Sequence, residues 1–212
     1  MTMKFYMTPG SCSTGIHILL EEIGLVFDAH LVNLLAGDQH QPAYLAINPK
    51  ATIPALMRDD GTVLCEFQSI AWWLARTYPK KQLLPATAEG EARVLEVMGY
   101  VTATLHGQGF ARLFTTDKFS VDPAEQEVVR ARGREIVDAG FAVIEPLLAQ
   151  CDYVAANHFT IADAALFYVE FWADRTQIPL PPNCRAHYQR LLTRPAVRQV
   201  LLEEGYAKAL AQ

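Results

Sequence analysis

One stretch of the chain decides the fold, Ile53-Pro54-Ala55-Leu56-Met57-Arg58-Asp59-Asp60-Gly61-Thr62-Val63-Leu64-Cys65. Two short apolar runs in it flank Asp59-Asp60-Gly61, a sequence typical of a tight turn. The stretch therefore predicts a β-hairpin. Pro54 stands at the entry of its first strand, where a proline cannot donate a ladder hydrogen bond. We expect the Ile53–Pro54 bond to be cis, which would turn the backbone N–H and C=O of Ile53 outward.

Strand and helix patterns alternate on both sides of this hairpin. Met3 to Tyr6 and Ala29 to Asn33 are predicted strands, and the apolar residues between them have the i, i+3, i+4, i+7 spacing of a helix that Gly24 would cap. Gln68 to Tyr78 is predicted to form a helix after the hairpin. The order β-α-β-α-β-β-α predicts an α/β domain over residues 1–78, with a four-stranded mixed sheet covered by helices. This is the layout of a thioredoxin-like domain.

The rest of the chain has almost only helical patterns. Residues 79–86, rich in proline and lysine, are predicted to link the first domain to an all-α domain of residues 87–212. A long helix is predicted from Thr87 to Phe114, and its glycines indicate close packing. Thr160 and Asp163 have the spacing of a capping box, so they predict the start of a buried helix.

Charge and cysteine content exclude several classes of function. Eighteen Lys and Arg against 23 Asp and Glu give a net charge of −5, and no basic cluster stands out, so we expect neither nucleic acid nor a membrane as partner. Without a signal-like N-terminus or a long apolar run, a soluble cytoplasmic protein is expected. The four cysteines lack metal-site spacing, so we expect no metal, and in a cytoplasmic protein we expect them to be reduced thiols. They are Cys12, Cys65, Cys151 and Cys184.

Cys12 is the best candidate nucleophile. It lies between the first predicted strand and helix, where unpaired N–H groups and the helix dipole favour a thiolate. A small buried apolar residue is an equally valid interpretation from position alone. The hydroxyls of Ser11 and Ser13 are placed to donate hydrogen bonds to a bound sulfur. Glu66, just before a predicted helix, has the charge to accept a ligand's ammonium, although acids are common at helix starts for electrostatic reasons alone.

Four segments together resemble the cytosolic glutathione S-transferases, most nearly the bacterial beta class, over essentially the whole chain. They are Tyr6-Met7-Thr8-Pro9-Gly10-Ser11-Cys12-Ser13, Asn48-Pro49-Lys50-Ala51-Thr52-Ile53-Pro54-Ala55-Leu56, Asp60-Gly61-Thr62-Val63-Leu64-Cys65-Glu66 and Thr160-Ile161-Ala162-Asp163. The resemblance implies a thioredoxin-like domain that binds glutathione as co-substrate, an all-helical domain that lines a pocket for a small hydrophobic electrophile, and a homodimer.

The resemblance also implies roles for individual residues. Cys12 matches a cysteine near the glutathione sulfur, Ile53 the residue that pairs with the cysteinyl backbone, and Pro54 the cis-proline. Glu66 matches the acid that meets the γ-glutamyl group, and His106 a catalytic histidine on a long helix. Each assignment is a hypothesis that the geometry must support.

Aromatic residues in the helical part are candidates for the co-substrate pocket. Phe110 and Phe114 lie at helical spacing with His106, and Trp172 belongs to a similar aromatic stripe on the helix that follows Thr160. Such stripes are more often core than ligand-binding surface. Those that face a cleft would form an apolar wall for a flat electrophile.

The chain departs from the family pattern where glutathione would bind. Phe67 stands where the family usually has Ser or Gly, so only its backbone N–H remains, and the loop of residues 35–39 lacks a lysine. Two hypotheses follow: a detoxification enzyme that activates the glutathione thiol for attack on an electrophile or a disulfide, and a non-catalytic dimeric binding module with a degenerate site. A thioredoxin-type reductase is disfavoured because no resolving cysteine follows Cys12.

Overall fold

The computed structural model of the chain describes residues 2–211, which form two compact units. The first unit contains the chain up to Leu83 together with the segment from Leu192 onward, and the second is Leu84–Leu191. The unit boundary falls within the predicted linker. The prediction placed the C-terminal segment in the helical domain, but the structure places it in the first unit. No helix within residues 2–211 is long and apolar enough to cross a membrane.

The first unit is built on a four-stranded mixed sheet. Its strands are β1 (Met3–Met7), β2 (Phe27–Leu31), β3 (Ala55–Met57) and β4 (Val63–Cys65). They lie in the order β2-β1-β3-β4, with β1 and β2 parallel and the other pairs antiparallel. The predicted hairpin is confirmed as β3 and β4, although its first strand begins two residues later than expected because Pro54 cannot join the ladder.

Helices pack against the sheet and against one another in the first unit. They are α1 (Ser13–Ile23), α2 (Pro42–Leu45), α3 (Phe67–Thr77) and α9 (Pro195–Glu203). α1 ends at Gly24, whose φ of 77° is the left-handed C-cap predicted from the sequence. Side chains with no solvent exposure from the strands and helices form the core; they include Phe5, Ile16, Leu19, Leu20, Leu56 and Ile70.

The C-terminal segment belongs to the first unit because it binds the start of α1. Glu204 accepts hydrogen bonds from the Gly10 N–H at 2.8 Å and from the Thr14 hydroxyl at 2.7 Å. The Tyr206 hydroxyl donates to the Pro9 carbonyl at 3.4 Å. A Cβ on Gly10 would lie 2.2 Å from that hydroxyl oxygen and would force the Tyr206 ring to move, and the φ of 72° at Gly10 also favours glycine.

The second unit is helical throughout. Its helices are α4 (Ala88–Tyr100), α5 (Ala111–Phe114), α6 (Gln126–Leu148), α7 (Ile161–Arg175) and α8 (Pro182–Leu192), with a π-helical segment, Val101–Phe110, between α4 and α5. The predicted long helix is therefore continuous but changes its hydrogen-bond ladder. The Thr102 hydroxyl donates to the carbonyls of Met98 and Gly99 at this change, and such side-chain bonds compete with the regular ladder.

Glycines bring the π-helical segment close to α6. A Cβ on Gly109 would lie 2.7 Å from the Val137 side chain, and one on Gly140 would lie 2.6 Å from the Leu105 side chain. The close packing predicted for Gly109 is confirmed. Gly99 has open space where its Cβ would be, so that glycine does not mark a contact.

The predicted capping box is confirmed at the start of α7. The Thr160 hydroxyl accepts from the Ala162 N–H, and the Asp163 carboxylate accepts from the Thr160 N–H at 2.8 Å. Asp163 also accepts a hydrogen bond from His187 Nε2 at 3.1 Å, and His187 Nδ1 donates to Glu170 at 2.9 Å. All three side chains have no solvent exposure. An imidazolium between two carboxylates thus lies in the core of the second unit.

Candidate active site

Cys12 occupies the predicted place between β1 and α1, as the N-cap residue of α1. Its side chain is buried, and the thiol donates to the Ile53 carbonyl with an S···O distance of 3.7 Å. Burial raises the pKa of the Cys12 thiol to about 12 and outweighs the N–H groups of Cys12 and Ser13, which act to lower it. The expectation that the helix N-terminus favours a thiolate here is therefore wrong, because desolvation is the larger effect.

We predict that alkylation of Cys12 accelerates with pH well beyond neutrality. Since the thiolate is the reactive form, the rate constant should rise about tenfold per pH unit from about pH 7 to about pH 10. Peptide mass spectrometry after timed iodoacetamide pulses would measure it, with the exposed Cys151 as the internal reference for reagent quality. A Cys12 rate that levels off below about pH 8 would contradict the prediction.

The serines beside Cys12 bind each other. Ser13 is fully buried, and its hydroxyl donates to the Thr8 carbonyl at 3.0 Å and accepts from the Thr8 N–H at 3.1 Å. Ser11 Oγ lies 2.6 Å from Ser13 Oγ. Because the single Ser13 proton is already used, Ser13 is not an available donor to a bound sulfur, which corrects that expectation. Ser11 is only half-buried and has a proton it can redirect.

The Ile53–Pro54 peptide bond is cis, as predicted. The preceding residue is fixed by its carbonyl, because the Thr52 oxygen accepts from the Tyr44 hydroxyl at 2.6 Å and from the Asn48 amide at 2.7 Å. This rigid loop holds the Ile53 carbonyl within reach of the Cys12 thiol.

Glu66 caps α3 in an unusual backbone conformation. Its φ is 75°, a region that favours glycine and costs other residues of order 1 to 3 kcal/mol. Its carboxylate binds Lys50 Nζ at 2.8 Å, and both side chains are more than half exposed. The negative charge of the same carboxylate contributes to raising the pKa of the Cys12 thiol, because it disfavours a thiolate nearby. The sequence analysis did not predict that Lys50 pairs with Glu66. The lysine was visible in the Asn48-Pro49-Lys50 segment next to the predicted cis-proline loop.

His106 lies in the π-helical segment of the second unit. Its Nδ1 lies 3.3 Å from the Tyr168 hydroxyl, and its ring packs edge-on against Trp172 with centroids 4.9 Å apart. Burial lowers the pKa of His106 to about 4, so the imidazole is neutral at pH 7. A neutral imidazole has one nitrogen that accepts a hydrogen bond, but a pKa near 4 makes His106 a weak base.

Comparison with known proteins places this geometry in a family. The family model described as Glutathione S-transferase, N-terminal domain, matches residues 10–77, and the one described as Glutathione S-transferase, C-terminal domain, matches residues 127–190. The chain is 35% identical over 208 residues to glutathione S-transferase GstA of Escherichia coli O157:H7, which covers 96% of this chain and 99% of the relative. The chain belongs to the glutathione S-transferase family.

Solved structures of glutathione S-transferases have the same fold. A glutathione transferase homolog from Sulfitobacter, with bound glutathione, has a TM-score of 0.88 and 28% identity over 97% of this chain and 99% of that one. The beta-class glutathione S-transferase of Sphingomonas chungbukensis has a TM-score of 0.82 and 27% identity over 96% and 99% of the two chains. The predicted fold class and the resemblance to the bacterial beta class are confirmed.

The aromatic residues predicted to line a glutathione S-transferase co-substrate pocket differ in exposure. Phe110, Phe114 and Trp172 pack together, with ring centroids 5.2 to 5.7 Å apart. Phe114 is 50% exposed, whereas Trp172 is buried and Phe110 is completely buried. Phe110 therefore packs against the other two rings within the core of the second unit and does not line a pocket.

The structure also shows where the side chain of Phe67 lies, the residue that stands where the family usually has Ser or Gly. It begins α3, and its ring is buried, so the side chain is part of the core of the first unit. The ring does not extend into solvent beside Glu66. The residues of the first unit that sequence analysis assigned to glutathione lie on three segments, the start of α1, the loop before β3 and the start of α3; they are Ser11, Cys12, Ile53, Pro54, Glu66 and Phe67.

Proposed function

We propose that the protein is a glutathione transferase that activates the glutathione thiol for attack on an electrophilic carbon or a disulfide. The observation that carries this proposal is the contact between Cys12 and the Ile53 carbonyl beside the cis-proline. It occurs in a chain whose relative GstA is named a glutathione S-transferase and whose structural neighbour from Sulfitobacter has bound glutathione. These relatives favour an enzyme over the non-catalytic binding module.

In the proposed complex the tripeptide follows the three segments of the first unit. The Ile53 carbonyl accepts the cysteinyl N–H of glutathione, and this frees the Cys12 thiol from its present partner. Glu66 and Lys50, whose charged atoms are 2.8 Å apart, present opposite charges to the ammonium and carboxylate of the γ-glutamyl group. The N-terminus of α3 supplies further attraction for that carboxylate.

A neutral Cys12 suits this function. With its pKa near 12, the thiol keeps its proton at pH 7 and can donate a hydrogen bond to the glutathione sulfur, together with Ser11. Hydrogen bonds to the charged form lower a pKa, so both groups increase the thiolate fraction of glutathione. We propose a catalytic role for the neutral His106, but the thiol proton leaves to solvent, because an imidazole whose pKa burial lowers to about 4 is a poor proton acceptor. The thiolate then forms a carbon–sulfur bond as the leaving group departs with its electron pair.

The second substrate is proposed to be a small hydrophobic electrophile that contacts Phe114 and Trp172. The exposure of Phe114 supports this proposal. Half of its ring surface is open to solvent, and the ring packs against Trp172. Family membership supports a cytoplasmic homodimer with a detoxification role. Calorimetric titration with glutathione and a conjugation assay with a chloronitroaromatic test the proposal together. Absence of both binding and conjugation would overturn it and leave the binding module.

Replacing Glu66 with glutamine is predicted to weaken glutathione binding about ten- to hundredfold. The substitution removes a charge that meets the ammonium group, and hydrogen bonds to charged groups contribute about 1.5 to 3 kcal/mol. Titration calorimetry measures the loss. Asp59→Asn is the matched control, because it removes the same charge from the exposed hairpin loop of the same unit. Equal affinities of wild type and Glu66→Gln would contradict the role of Glu66.

A further inference from the structure

A carboxylate from the far end of the chain holds the segment around Cys12 on both of its sides. Glu204 directly follows α9, and its side chain is 1% exposed. Its Oε2 accepts hydrogen bonds from the Gly10 N–H at 2.8 Å and from the Thr14 hydroxyl at 2.7 Å. Gly10 lies in the loop before Cys12, and Thr14 lies in the first turn of α1 after it. One buried oxygen therefore bridges the two sides of the thiol.

The other oxygen of Glu204 is held as well. His17, one turn after Thr14 on α1, has its Nδ1 2.9 Å from Glu204 Oε1, and its ring is 4% exposed. Because an ionised carboxylate only accepts hydrogen bonds, the Nδ1–H donates to it. Hydrogen bonds to charged groups are among the stronger ones in proteins. Three donors from residues 10–17 therefore converge on the Glu204 carboxylate and fix its orientation.

Tyr206 adds a packing contact to these hydrogen bonds. Its hydroxyl donates to the Pro9 carbonyl at 3.4 Å, and a Cβ on Gly10 would lie 2.2 Å from the same hydroxyl oxygen. The end of the chain thus lies directly against the loop at residues 9–10. A glycine in such a loop gives the backbone freedom, so contacts from outside the loop are needed to select one conformation.

The conformation of this segment determines the surroundings of the Cys12 sulfur. Cys12 is 7% exposed, and its thiol donates to the Ile53 carbonyl with an S···O distance of 3.7 Å. Burial is the largest cause of the raised pKa of this thiol. That burial requires the start of α1 to stay closed against the chain at Ile53. If the segment opened, water would reach the sulfur and stabilise its thiolate.

We propose that Glu204 is a positioning residue for Cys12, because its bonds on both sides of the thiol hold the sulfur against the Ile53 carbonyl. In the proposed reaction the same conformation directs the Cys12 thiol toward the glutathione sulfur, and this part of the inference rests on the proposed function. Glu204 acts through the chain at residues 10 and 14, so its effect is on the place and reactivity of Cys12. The end of the chain then contributes to the active site of the first unit.

Alkylation of Cys12 without glutathione tests this role. Timed iodoacetamide pulses and peptide mass spectrometry give the rate constant as a function of pH. Glu204→Ala is expected to raise the Cys12 rate constant at pH 7 at least about tenfold, because water reaches the thiol and its thiolate fraction increases. The variant's rate should also level off at a lower pH than that of wild type. Cys184, which has no solvent exposure in the second unit, reports global unfolding and should react as in wild type.

Three further variants separate the attachment of the loop from a loss of charge. Glu204→Gln keeps an oxygen for Gly10 and Thr14, so its Cys12 rate should stay within about threefold of wild type. Glu203→Ala removes the neighbouring carboxylate, which is 43% exposed and lies 3.2 Å from the other nitrogen of His17, and should leave the Cys12 rate unchanged. Thr14→Val removes one of the two bonds to Oε2 and should raise the rate severalfold, which tests the proposal even if Glu204→Ala does not fold.

Calorimetric titration with glutathione completes the experiment. Glu204→Ala is expected to weaken binding about tenfold, because the Cys12 thiol no longer has a fixed place. If wild type binds no glutathione, the proposed function fails, whereas the alkylation rates still decide the role of Glu204. The inference is overturned if neither Glu204→Ala nor Thr14→Val accelerates alkylation of Cys12, if Cys184 accelerates to the same extent, or if Glu203→Ala has as large an effect as Glu204→Ala.

Discussion

Cys12→Ala is expected to reduce glutathione-dependent disulfide exchange at least a hundredfold while lowering conjugation only about tenfold. In exchange, Cys12 loses its thiol proton as its sulfur attacks one sulfur of a disulfide, a new S–S bond forms, and the other half leaves as a thiolate that takes up a proton. A glutathione thiolate then attacks the mixed disulfide and restores Cys12. Without a sulfur at residue 12 this mixed-disulfide route is lost and only direct attack by glutathione remains, whereas conjugation loses only one hydrogen bond to the glutathione thiolate.

The experiment compares both activities in the same preparation. Reduction of a small symmetrical disulfide by glutathione measures exchange, and a chloronitroaromatic measures conjugation. Cys151→Ala is the matched control, because it removes an exposed thiol from the second unit and should change neither rate. If exchange survives in Cys12→Ala, Cys12 is not the nucleophile. If conjugation falls as far as exchange does, Cys12 has a larger role than a hydrogen-bond donor.

His187→Ala is expected to destabilise the protein by about 3 to 5 kcal/mol. The substitution leaves the carboxylates of Asp163 and Glu170 without their shared partner in a region with no solvent exposure. It also weakens the N-terminal cap of α7, since Asp163 is part of that capping box. For a chain of this length, the midpoint of thermal unfolding should fall by about 10 °C or more.

Thermal and urea denaturation measure this change. Gln189→Ala, on the same helix but exposed, is the control and should cost less than about 0.5 kcal/mol. An equal, small effect of both substitutions would show that the buried cluster contributes no net stability.

The His187 cluster also predicts a direction for pH dependence. Burial alone lowers the pKa of His187, but Glu170 and the hydrogen bonds with both carboxylates outweigh it and raise the pKa to about 10. Burial raises the pKa of Glu170 from 4.5 to about 7. The folded state therefore holds more protons than the unfolded state across this range, so the cluster's contribution is largest in mild acid and is lost as the pH rises through 10. Wild type should lose stability toward alkaline pH more steeply than His187→Ala.

Features encoded by neighbouring residues could be predicted from the sequence. The turn at Asp59-Asp60-Gly61, the cis bond at Pro54, the Gly24 cap and the capping box at Thr160 are each determined within a few residues, and all are present. The position of Cys12 between β1 and α1 was predictable for the same reason.

Features that depend on distant residues could not be predicted. Cys12 remains protonated because the chain around Ile53 closes over it, and desolvation by another segment leaves no local pattern. The ion pair between Lys50 and Glu66 joins two loops, and the burial of Phe110 results from packing within the second unit. The attachment of Glu204 to the start of α1 was missed because their sequence separation is close to the length of the chain.

That attachment has a consequence for the order of synthesis. The sheet of the first unit is complete once β4 has been made, before the second unit begins, yet the loop that precedes Cys12 is held by Glu204 and Tyr206, which follow the second unit in the chain. While the ribosome is still translating the second unit, the loop before Cys12 lacks these partners. The start of α1 therefore acquires its final support only after the whole second unit has been translated.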